Sequence, residues 1–148
     1  MSGTLMTSFK AQLLTKLQAN ATLTNIQVAY GDPGAAARRE CVFLGDIINN
    51  THEPESLSTG RRRRIEDFEC EVFISVNSKP RSSPQDCEAR AVVLADAVET
   101  VVVEDPQLGN LTGLLWCNIS SMSMNTVETG DGPLTTIIIN IQARARLT

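Results

Sequence analysis

Leu5, Phe9, Leu13 and Leu17 recur every four residues, and Met6 and Leu14 broaden the stripe. That spacing predicts an amphipathic helix from about Thr4 to Ala19, with Asn20 as its stop. Ile26–Tyr30 reads as a short strand closed by Gly31-Asp32-Pro33-Gly34, a run of turn formers. Cys41–Leu44 reads as a second short strand. Asn49–Arg64 shows no usable period and contains Pro54 and Gly60, so a long loop is expected there, of the kind that is usually functional or mobile.

The pattern then sharpens. Phe68, Cys70, Val72, Ile74 and Val76 alternate with Asp67, Glu69, Glu71, Phe73 and Ser75, which predicts a half-buried strand with an acidic outer face. Lys79–Ser83 turns the chain. Ser83 is placed to cap a helix that has Pro84 at its first position and Asp86 in its first turn. Cys87, Ala91, Leu94, Ala95, Val98 and Val102 form its inward stripe, with Asp105-Pro106 as the stop. Leu114–Asn125 and Leu134–Leu147 read as two long antiparallel strands joined through Gly130-Asp131-Gly132-Pro133. The order α-β-β-β-α-β-β predicts an α+β fold, a mainly antiparallel sheet with two packed helices, in one domain over residues 1–148.

The last strand is long. About thirteen residues reach roughly 44 Å, against roughly 17–20 Å for a usual strand, while a compact chain of this length is about 38 Å across. One end is therefore expected to project past its own core and to need a neighbouring subunit, unless a bend or bulge keeps it within the domain.

Composition narrows the chemistry. The chain has 148 residues, 13 Lys and Arg against 17 Asp and Glu, and a net charge of −4, which disfavours clamping a polyanion. Aromatic residues make up 4%, too few for base-stacking platforms. No run of apolar residues approaches the length of a membrane span, and no secretory signal is visible, so no membrane partner is expected. Cys41, Cys70, Cys87 and Cys117 fall in apolar rhythm and read as buried free thiols. His52 is the only histidine, so a metal site would lack convergent ligands. A nucleophile–histidine triad would have to use His52, which beside Glu53 and Pro54 in the expected loop reads as an exposed loop residue, and no cofactor is expected. Glu66, Asp67, Glu69 and Glu71 read as a solvated row or an ion-pair ladder rather than a catalytic carboxylate pair.

The arginine run Arg61, Arg62, Arg63 and Arg64 is the most conspicuous feature. It could grip an acidic protein surface or phosphate, which leaves a nucleic-acid-binding module as an alternative function. Asp67, Glu69 and Glu71 could also pair with Arg144 and Arg146, across adjacent strands or between subunits. These nine residues are the candidate interface.

The opening helix with Leu13, Leu14 and Leu17, the segment Val28-Ala29-Tyr30-Gly31-Asp32, the strand Phe68–Val76, the helix from Pro84 and the closing strand through Ile137–Leu147 together resemble the tail terminator proteins of long, non-contractile-tailed bacteriophages, particularly actinobacterial ones. The resemblance covers nearly the whole chain in element order, and neighbouring head–tail connector and tail-completion proteins share its size and composition. It implies a structural, non-enzymatic virion protein, usually a hexameric ring. Such a ring is assembled in the host cytoplasm and sits at the head-proximal end of the tail. It caps the tail tube protein, offers a joining surface to the head–tail connector and lets DNA pass without specific binding. As touching spheres about 38 Å across, six subunits leave an aperture of about one diameter; three or four leave ~6 and ~16 Å, too tight for a duplex roughly 20 Å wide. Six copies carry about −24 in charge, so such a ring would repel phosphate.

Overall fold

The fold is described from a computed structural model over residues 3–54 and 63–147. The leucine stripe forms helix α1 (Met6–Gln18), which buries Phe9, Leu13 and Leu17 completely. After a short 3₁₀ turn come strands β1 (Gln27–Ala29), β2 (Glu40–Pro54) and β3 (Arg64–Asn77). Helix α2 (Pro84–Glu104) follows, then β4 (Leu114–Thr129) and β5 (Gly132–Leu147). The five strands form one mixed sheet in the order β1-β2-β3-β5-β4, with β1 parallel to β2 and every other neighbour antiparallel. The architecture is the α+β fold that the element order predicts.

Helix α2 begins as its sequence requires: Ser83 Oγ accepts from Gln85 N at 3.2 Å, and Pro84 occupies the first turn. It continues through Val101, Val102 and Val103 to Glu104 because Val102 is fully buried, and that burial outweighs the modest helix cost of β-branched residues. It packs across β3, β5 and β4, while α1 lies over β1 and β2. Both helices cover one face of the sheet. Between them and the sheet, Leu94, Val98, Val72, Ile74, Ile139 and Ile141 join a single apolar cluster, and burying each such side chain is worth about 1.5–3 kcal/mol. Phe9 meets Phe68 edge-to-face with centroids 5.3 Å apart, which ties α1 to β3. The four cysteines are free and buried, and burial pushes the thiols of Cys70 and Cys117 up to about 12.

Three expectations need correction. The segment from Asn49 is not a loop as far as Pro54, because β2 runs through it and pairs with β3 down to Pro54↔Arg64. Register shifts between Leu44 and Ile47 and between Ile48 and Thr51, with Asn49 at φ 53°, break the alternation that would have marked a strand. The closing strand does not project either. β5 lies inside the sheet between β3 and β4 and alternates buried and half-buried positions to Leu147; its neighbours, at 14 and 16 residues, are about as long as its own 16. Finally, Glu66 is not part of a solvated row: it shares the parity of Phe68 and Cys70 and is fully buried on the helix side.

Candidate assembly surfaces

The face of the sheet away from the helices carries the acidic row. Asp67, Glu69, Glu71, Phe73 and Ser75 of β3 stand opposite Arg144, Gln142, Asn140, Ile138 and Thr136 of β5, all half-buried. Asp67 and Arg144 meet as the sequence pairing anticipates, across adjacent strands of the same chain. Arg144 Nε donates to Asp67 Oδ1 at 2.9 Å and Nη2 donates to Oδ2 at 3.3 Å. This hydrogen-bonded contact holds Arg144 above the ordinary arginine pKa. Both side chains remain partly in solvent, so the pair fixes register more than it adds stability. Glu69 accepts from Asn49 Nδ2 at 3.0 Å. Glu71 lies opposite Asn140 and Arg146 opposite Ile65.

Arg64, the last residue of the arginine run, is not part of this face. Arg64 opens β3 on the parity of Glu66, exposed, with Nη2 donating to Gly3 O at 3.0 Å near the start of α1. Arg63 is exposed beside it, and Arg61 and Arg62 lie outside the described residues.

Glu66 does the work at that end of the molecule. One of its oxygens accepts Leu5 N at 2.7 Å; the other accepts Asn50 Nδ2 at 2.7 Å and the Thr4 hydroxyl, and lies 3.3 Å from His52 Nε2. One carboxylate therefore ties the start of α1 to β2 and β3, at the helix end where an anion is favoured. Its signal was in the sequence, since it falls in phase with Phe68 and Cys70.

Among the described residues two stretches of sheet edge are open. On β4, the segment after α2 covers the beginning: Cys117 N donates to Pro106 O at 2.8 Å and Gln107 Nε2 donates to Leu115 O at 3.4 Å. From Ser121 to Thr129 no strand of the described residues lies outside it, and Met122, Met124 and Val127 are 46, 49 and 46% exposed. On β2, β1 covers only Cys41–Phe43. Just beyond, a cleft of about 440 Å³ opens among Lys10, Tyr30, Asp32, Gly45 and Phe73, with Phe43 stacked on Phe73 at 5.0 Å. Among the described residues no group of three or more His, Cys, Asp or Glu could hold a metal ion. Among the same residues no helix is long and apolar enough to cross a membrane.

No family model matches the chain, and no curated protein does. Among solved structures it is similar to a chain of the virion of a native gene transfer agent particle, with a TM-score of 0.55 and 19% identity over 99% of this chain and 100% of that one. The likeness is one of fold.

Proposed function

We propose that this chain is a structural component of a phage-type virion, and that within the virion it caps the tail tube as a ring of six copies. In this role it ends tail elongation at the head-proximal end and offers a joining surface to the head–tail connector, while DNA passes through its centre. The observation that carries the reading is the helix-free sheet face, on which, among the described strand residues, Glu53, Asp67, Glu69 and Glu71 outnumber Arg144 and Arg146. Turned inward in a ring, a surface of that sign lets a polyanion slide rather than bind. The whole-length fold likeness to a chain from a virion supports the same setting, as does the terminator-like order of elements.

Deleting the gene from a producing phage separates this role from its neighbours. Loss of a terminator yields overlong or headless tails by electron microscopy. Tails of normal length that fail to join heads would assign the chain to the connector instead.

A further inference from the structure

The two open edges of the sheet are complementary, and the pairing they permit is directional. Following the ladder across, Glu40 pairs with Val76, Val76 with Thr135 and Thr135 with Thr126, so the open half of β4 lies level with the covered start of β2. The open half of β2, beyond Phe43, lies level with the covered start of β4. Each edge is thus blocked where the other is free.

The hydrogen-bonding phase of β4 can be read from its turn. The chain reverses through Gly130 and Asp131 alone, so Thr129 and Gly132 form a hydrogen-bonded pair, and every second residue back along β4 bonds inward. Val127, Asn125, Ser123 and Ser121 therefore direct their backbone groups to β5. Thr126, Met124 and Met122 direct theirs outward, where no strand among the described residues receives them. This stretch carries no proline or lysine and no register shift, the usual devices that keep an edge from pairing.

We infer that the open stretch Ser121–Thr129 of β4 pairs antiparallel with the open stretch of β2 in a second copy of this chain, head to tail, and that repetition closes the ring. This rests on the ring proposed above and names its interface. β4 runs antiparallel to β5, β5 to β3 and β3 to β2, so an adjoining copy in the same orientation presents β4 antiparallel to β2, the favoured sense. Pairing the two open halves staggers the copies along the strands, which gives the tilt that barrel closure needs. Four long strands from each of six copies make about 24, which at ~4.8 Å spacing close a barrel about 37 Å across its backbone before tilt widens it. The acidic, helix-free face would line it. Pairing β4 with β4 about a two-fold axis is disfavoured, because it brings the Glu88 carboxylate of one copy towards that of the other. Glu88 already reaches β4, accepting from Thr126 Oγ1 at 2.7 Å.

The test is Met124→Pro, which removes only an outward donor, a change an edge strand tolerates. Met124→Lys, which keeps the donor but sets a charge in the proposed contact, serves as the second variant. By light scattering the wild type is expected at about 97 kDa, six times 16.1 kDa, and both variants at the monomer mass with unchanged circular dichroism. A ring-mass species that persists in both variants overturns the edge pairing and leaves the ring standing. A wild type at twice the monomer mass overturns the head-to-tail sense. A wild type that stays monomeric up to millimolar concentration overturns the ring itself.

Discussion

Gly132→Ala is expected to lower the melting temperature by about 10–20 °C, corresponding to roughly 3–5 kcal/mol. Gly132 begins β5 at φ +107°, a conformation that L side chains rarely adopt. A Cβ there would sit 2.3 Å from Ser78 O and 2.6 Å from Lys79 O, both backbone atoms. That backbone cannot easily withdraw. Ser78 N donates to Pro133 O at 3.0 Å, and Arg39 Nη1 donates to Ser78 O at 3.0 Å and Asn77 O at 3.3 Å. Strain in the dihedral and overpacking against a fixed turn therefore add. Scanning calorimetry of the variant measures the loss; a shift under 3 °C would mean that the turn at Ser78 moves freely.

Glu66→Ala should cost a comparable amount, about 3–5 kcal/mol, because it strips a buried network of its shared acceptor. Leu5 N, Asn50 Nδ2 and the Thr4 hydroxyl all converge on this carboxylate, which is wholly inaccessible to solvent. Glu66→Gln keeps the shape and one acceptor oxygen, so it should lose less. The loss should be localised: amide exchange at the start of α1, around Leu5 to Phe9, should accelerate before the rest of the sheet opens. Protection of α1 that is unchanged in Glu66→Ala would show that the helix is held by Phe9, Leu13 and Leu17 alone.

The parts of the fold that were legible in the sequence are those without irregularity. Phe68 to Val76 alternates without a break because β3 pairs with β5 in unbroken register from Arg64 to Asn77. β2 was only partly legible: its two register shifts put Leu44, Ile47 and His52 on one face at spacings of three and five, which match neither a strand nor a helix. Sheet order was not legible at all. The alternation of β5 would look the same at an edge or at the centre, so its length alone suggests a projecting end, whereas its neighbours are simply as long. Of the candidate interface, the Asp67–Arg144 contact was readable as opposite charges in phase. The open edge of β4 was not, since exposure of a backbone ladder depends on what packs beside it.

In the proposed role, copies of this chain form a ring that a genome can thread. Imaging the assembled particle to a resolution that resolves protomers tests it most directly. Six copies are expected at the head-proximal end of the tail around an opening wider than the roughly 20 Å of a duplex. Solitary copies, copies spread along the tube, or an opening narrower than the double helix would contradict it.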